Sequence, residues 1–245
     1  MNYKTRSLPG KILIIEGLFN DKEMDDIFNS CIKEIRLSHK LPLLFGLVVP
    51  LFFDLYPEIE KKVVNKKVKE ALADYLEVNI ENVIISRHSD YHQNTLGGWH
   101  RDLGSDEEYI SFQDSQKVKI FKFALIKNMK GNSQNVGTQF KIEGNHLKPL
   151  LKNGDVLLFP VNVIHRGYPG NLIVSFMRRV SSKILPERAS NYVVNYISRI
   201  FDPRGREAIF FTFGLESPLF NKFEEENLKR AKEQFNKYSP EVFNN

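Results

Sequence analysis

A change of texture near residue 82 constrains the fold more than any other feature. From there to about residue 214, short runs of β-branched and aromatic residues alternate with Gly, Asn and Asp. The runs cover 82–87, 117–127, 138–143, 155–159, 172–177 and 208–213. Strands this short, broken so regularly by turn-forming residues, predict a β-sandwich or jelly roll.

The residues before this region read differently. KILIIE at 11–16 predicts a short strand, and the acidic stretch after Asn20 predicts a capped helix. Ile59, Val63, Val64, Val68, Ala71, Leu72 and Tyr75 fall three or four residues apart, which predicts one amphipathic helix over 56–76. At the other end, Leu228, Ala231 and Phe235 recur at helical spacing in a charged tail, giving a C-terminal helix over 220–240. The expected organisation is one domain over 1–245: a helical part at 1–80, a β core at 82–214, and that last helix. There is no internal repeat, low-complexity segment or composition shift to mark a linker.

Composition bounds the function. With 42% hydrophobic residues, including 19 Phe and 9 Tyr, the chain has ample apolar area for a core. The net charge of +5 is spread among acidic residues rather than gathered in a stripe. No base-stacking loop stands near the motif described below, so nucleic acid is not an expected partner. Cys31, the single cysteine, cannot form an intrachain disulfide and is expected to be a small buried side chain. The most apolar stretch, 41–53, is interrupted by Pro42, Gly46 and Pro50, too short and broken to span a bilayer. It reads as a buried segment or pocket wall. The first ten residues are polar and unlike a secretory leader, so the expectation is a cytoplasmic protein. Oligomeric state is not legible.

The chemistry centres on Gly97-Gly98-Trp99-His100-Arg101-Asp102. Residues two apart on an extended segment point the same way, so the His100 imidazole and Asp102 carboxylate can reach one ion. A third ligand must come from elsewhere. His165 follows the strand-like run GDVLLFP at 154–160, where a strand would deliver it to a barrel interior. Two His and one carboxylate form a facial set that leaves three octahedral positions open, whereas structural zinc sites close their shell and usually recruit Cys. His-x-Asp alone arises often by chance and also reads as surface capping by Asp. The order of the surrounding pieces strengthens it: His100-x-Asp102, the run KVKIFKFALIKN, Gly144-Asn145-His146, NGDVLLF at 153–159, then His165-Arg166-Gly167.

In that order the chain, from about 82 to 214, resembles the phytanoyl-CoA dioxygenase family of iron(II)/2-oxoglutarate oxygenases. The resemblance implies a double-stranded β-helix (jelly roll, cupin-like), with iron(II) on His100, Asp102 and His165. It also implies 2-oxoglutarate and dioxygen as cosubstrates and a small-molecule substrate, hydroxylated with release of succinate and carbon dioxide. Halogenases of the wider group replace the carboxylate ligand with a small residue; Asp102 therefore favours hydroxylation or a related oxidation over halogenation. The family holds the distal carboxylate of 2-oxoglutarate on an Arg at the start of the strand after the second metal His. Arg206, in REAIFFTFG, matches that pattern but lies far from His165, which would make 171–204 an insertion. Arg178 and Arg179, on the nearer run, are its rivals. Within the insertion, Tyr192, Tyr196 and Phe201 would either close over the metal or pack the insertion itself.

Other residues carry weaker signals. Arg87, His88, Tyr91 and His92 precede the motif, and alternation puts some of them inside. Of Lys119 and Lys122, at most one faces the interior, and a solvated Lys is the commoner case. Trp99 is expected to pack under the metal loop, and His146 to make a structural hydrogen bond in a turn. The competing functions are a cupin-type metal-binding jelly roll without 2-oxoglutarate chemistry and a non-catalytic binding module. The substrate itself is not legible.

Overall fold

The structure is a computed structural model. It describes residues 3–38, 47–93, 99–102, 119–127, 137–167 and 206–238, with isolated positions between 177 and 193. Two antiparallel sheets form the core. The larger contains β1 (Lys4–Leu8), β2 (Ile12–Glu16), β3 (Leu47–Pro50), β4 (Ile84–Gln93), β5 (Ile120–Lys127), β8 (Val156–Pro160) and β10 (Glu207–Gly214). Their order across the sheet is β1-β2-β8-β5-β10-β4-β3. The smaller sheet has β6 (Thr138–Ile142) between β7 (Asn145–Leu147) and β9 (Ile164–Gly167). Strands adjacent in space are mostly distant in sequence, as in a jelly roll.

The central strands of the larger sheet, β8, β5 and β10, are buried on both faces, which explains their nearly continuous apolar sequences. β5 and β10 illustrate the division. Phe123, Leu125, Ile209, Phe211 and Phe213 point to the helices, packing with Phe28, Phe52, Ile59, Val68 and Leu72. Ala124, Ile126, Ala208 and Phe210 point the other way, into a core shared with Phe140 of β6 and Phe159 of β8. Here Phe140 and Phe159 meet edge to face with centroids 5.0 Å apart.

Helix α1 (Asp21–Ser38) starts where the sequence indicates. Asn20 Oδ1 accepts from the Glu23 amide while Glu23 Oε2 accepts from the Asn20 amide, a reciprocal capping box. Cys31, on the same helix, is buried, as expected. The helix expected over 56–76 is instead two, α3 (Pro57–Val63) and α4 (Lys66–Leu76), after the short α2 (Phe52–Leu55). The break falls at Asn65, whose side chain accepts from the Val68 amide and restarts the chain as an N-cap. Periodicity missed it because both halves bury the same apolar stripe. The strand expected at 82–87 begins at Ile84, after a 3-10 turn over Ile80–Asn82, and runs on to Gln93, and no sequence signal marks β1, β3, β7 or β9 as strands. The run 172–177, apart from its last residue, and the insertion's Tyr192, Tyr196 and Phe201 lie outside the described residues. So do Arg178 and Arg179.

β6 and β7 are joined by Glu143-Gly144, both at positive φ, a turn that suits the twist of a tight hairpin. Helix α5 (Pro218–Tyr238) packs Phe220 and Phe223 against Ile120 and Val161, at one end of the large sheet. Among the described residues no helix is long and apolar enough to cross a membrane.

Candidate metal centre

His100, Asp102 and His165 converge. Their ligand-type atoms all lie within 4.8 Å of one another, the one such cluster among the described residues. Backbone pairing produces the convergence: the His100 amide donates to the His165 carbonyl at 3.0 Å and the His165 amide returns a bond at 2.9 Å. This bridge joins the 99–102 segment to β9 and brings the two imidazole centroids to 4.5 Å. A third backbone bond, from the Asp102 amide to the Val161 carbonyl at 3.3 Å, turns the carboxylate inward.

The protonation states suit a divalent cation. His165 Nδ1 lies 2.9 Å from the Val163 carbonyl, so Nδ1 carries the proton and Nε2 keeps a free lone pair toward the cluster. Burial pulls the His165 pKa down to about 4, against the opposing pull of Asp102, so the ring is neutral at pH 7. Burial opposes ionisation of Asp102, but the Lys122 ammonium, then His165 and His100, outweigh it and hold the carboxyl well below its usual range. Asp102 Oδ2 is buried with no hydrogen-bond partner among the described residues, 3.7 Å from His165 Nε2. A buried, ionised oxygen left without a donor is costly, and a cation between these groups would relieve it. His100, 48% exposed, forms the solvent side of the cluster, and His165 is buried.

Arg206 precedes β10 and is buried in the interior. Its guanidinium is 3.4 Å from the Thr138 hydroxyl of β6 and 5.5 Å from the Phe210 ring centroid, and its Nε has no hydrogen-bond partner among the described residues. No carboxylate pairs with it among the described residues. Burial lowers its pKa to about 10, which still leaves it charged at pH 7. His92 of β4 packs edge to face on the same Phe210 at 5.0 Å, and burial depresses its pKa to about 3. Phe210 therefore carries a buried cation and a neutral imidazole along one interior wall.

The remaining candidates separate cleanly. Arg87 faces solvent and pairs with Asp54 at 2.6 Å. Tyr91 points to the helices, donating to Glu207 at 2.7 Å. His88 lies beside Asp90 at 3.6 Å. Lys119 is exposed, whereas Lys122 points inward and bonds Asp102 Oδ1 at 3.0 Å. Alternation allowed one of these lysines inside, but nothing in the sequence paired it with Asp102. Trp99 packs beside the cluster, sandwiched between the Arg166 guanidinium at 4.2 Å and the His146 ring at 5.0 Å. His146 is thus a packing partner of Trp99 and no part of the three-residue cluster. Arg230 of α5, 3.4 Å from the Asp102 carbonyl, braces the same segment from outside, a contact no sequence signal announced.

No family model matches the chain, and no curated protein matches it in sequence. Solved structures do match its fold. HygX from Streptomyces hygroscopicus, solved with nickel and 2-oxoglutarate bound, is 10% identical, with 83% of this chain and 82% of that one covered at a TM-score of 0.51. EctD from S. alaskensis, solved with bound Fe, is 13% identical over 85% of this chain and 75% of that one, also at 0.51. ThoJ, a non-haem monooxygenase solved as a nickel complex, is 9% identical over 92% and 94%, again at 0.51. The jelly-roll fold expected from the strand pattern is the fold of the chain. At these identities the likeness is one of fold.

Proposed function

We propose that this protein is an iron(II)- and 2-oxoglutarate-dependent oxygenase that hydroxylates a small molecule. One observation carries the reading: in a jelly roll, two imidazoles converge with an ionised carboxylate oxygen that has no hydrogen-bond partner among the described residues. That donor set suits non-haem iron(II), since it occupies one face of an octahedron and contains no thiolate. The fold neighbours add weight, HygX with nickel and 2-oxoglutarate and EctD with 2-oxoglutarate and 5-hydroxyectoine.

In this reading His100, His165 and Asp102 hold the metal. Arg206, with Thr138, receives the distal carboxylate of 2-oxoglutarate; a buried guanidinium whose Nε meets no acceptor among the described residues is suited to pair with it. Bound iron(II), with 2-oxoglutarate and dioxygen, supplies the oxidising power for hydroxylation, releasing succinate and carbon dioxide. Phe140, Phe159 and Phe210 keep the inner wall dry, which strengthens the charge pairing at Arg206. The finer assignments belong to the same proposal: a phytanoyl-CoA dioxygenase-like enzyme, one domain over 1–245 with 171–204 inserted before β10. A cytoplasmic setting fits the lone buried thiol of Cys31.

The test is to add iron(II) to the apo-protein without oxygen and titrate 2-oxoglutarate. A saturable visible charge-transfer band is expected, and its loss in His165→Ala. Iron binding with no band would leave a cupin-type metal protein without 2-oxoglutarate chemistry. No metal binding at all overturns the proposal.

A further inference from the structure

Lys122 is a buried cation aimed at a residue that the metal reading needs as an anion. Its side chain is 8% exposed and springs from the middle of β5. Its ammonium sits 3.0 Å from Asp102 Oδ1 and 5.2 Å from the Phe210 ring centroid. A lysine is seldom enclosed without a specific partner, and among the described residues the partner is one oxygen of Asp102.

The geometry of Asp102 gives that choice a consequence. Oδ1 lies 3.9 Å from His100 Nε2 and Oδ2 lies 3.7 Å from His165 Nε2. Each carboxylate oxygen thus faces one imidazole, and an unrestrained carboxylate would chelate a cation between them through both. Chelation would fill a fourth octahedral position, leaving two open where a bidentate 2-oxo acid and dioxygen together need three. Lys122 occupies Oδ1 and leaves Oδ2 free.

We infer that Lys122 is a positioning residue that keeps Asp102 a one-oxygen ligand and so preserves the third open position at the metal. This rests on the metal reading given above. It also implies a trade: the ammonium draws on the charge of Asp102 and repels the cation, so the site binds metal more weakly than its three ligands alone would allow.

The test uses manganese(II), which is octahedral and redox-quiet, on the full chain without 2-oxoglutarate. Free Mn(II) is measured by electron paramagnetic resonance, and metal-bound water is counted by proton relaxation. Wild type and Lys122→Arg, which keeps both donor and charge, are expected to hold three exchangeable waters. Lys122→Met is expected to hold two and to bind Mn(II) about tenfold more tightly. Lys122→Gln keeps a donor but loses the charge, so three waters with the tighter affinity are expected. A lysine that merely supported the fold would give the opposite sign: weaker binding and a lower melting temperature in both neutral variants. Weaker binding in the neutral variants, or three waters in Lys122→Met, overturns the inference. If wild type binds no Mn(II) that depends on His165, the metal reading fails first and takes this inference with it.

Discussion

Residues in the interior of this protein are chemically unlike the rest of its core. Lys122, His165 and Arg206 are buried among Phe and aliphatic side chains, and the half-buried His92 packs on Phe210 beside them. Arg206→Met is expected to leave iron(II) affinity within a few-fold of wild type while weakening 2-oxoglutarate binding about 100-fold, since charge-assisted bonds are lost. Equal weakening in the Arg179→Met control would move the cosubstrate contact to the nearer arginine. The two depressed histidines make a second prediction, for the metal-free protein. His92 and His165 have pKa values of about 3 and about 4 in the fold, below the ordinary 6.5. Both are neutral in the native state, so their full contribution is present above pH 6.5. As pH falls from 6.5 toward 4 the unfolded chain takes up protons the native state refuses, and stability drops. Urea denaturation across that window should show the slope, and His92→Gln should flatten it. At this scale the sequence indicated His100 and Asp102 because their two-residue spacing is local, and His165 only through the order of the strand-like runs around it. It could not pair Lys122 with Asp102, because that contact depends on a register between segments twenty residues apart.

Elements position these residues through a few local decisions. The β2–α1 connection passes close to the turn before β8: the Phe19 amide donates to the Gly154 carbonyl at 3.0 Å. Gly154 has φ +85°, and an added Cβ would collide with the Phe19 carbonyl oxygen. Gly154→Ala is therefore expected to destabilise the protein by about 1–3 kcal/mol, read by thermal melting. Asp155 holds the same junction, accepting from the Gly17 amide at 2.9 Å and from the Lys152 amide at 2.8 Å. Much of this level was legible. The NGD turn, the Asn20 cap and the apolar runs of β5, β8 and β10 all carry local signals. Other elements were not, for physical reasons. β1 is made of KTRSL, largely exposed, and is a strand only because Lys4 to Leu8 pair with Glu16 to Ile12. β7 and β9 are three and four residues long, too short for any period to register. The division of 56–76 into two helices turns on one cap that the shared apolar stripe conceals.

The whole molecule is a large sheet faced by helices on one side and by a small sheet on the other, with the candidate centre between the sheets. This arrangement couples occupancy to stability. Any ligand that binds only the folded state stabilises it by mass action, about 2.7 kcal/mol at a hundredfold excess over Kd. For a chain of this size, iron(II) with 2-oxoglutarate should raise Tm by roughly 5–10 °C, with no rise in His165→Ala. The jelly roll was foreseeable from strand length and turn spacing, but the strand order was not. β4, β5 and β10 come together only through pairings between residues far apart in sequence, such as Ile209 with Leu125 and Ala208 with His92. The most direct test is a crystal structure grown without oxygen in manganese(II) and 2-oxoglutarate, phased for the metal's anomalous signal. The expected result is one peak bonded to His100, His165 and Oδ2 of Asp102, with the distal carboxylate of the cosubstrate on Arg206. A peak elsewhere, or none beside these three side chains, would contradict the assignment of this site.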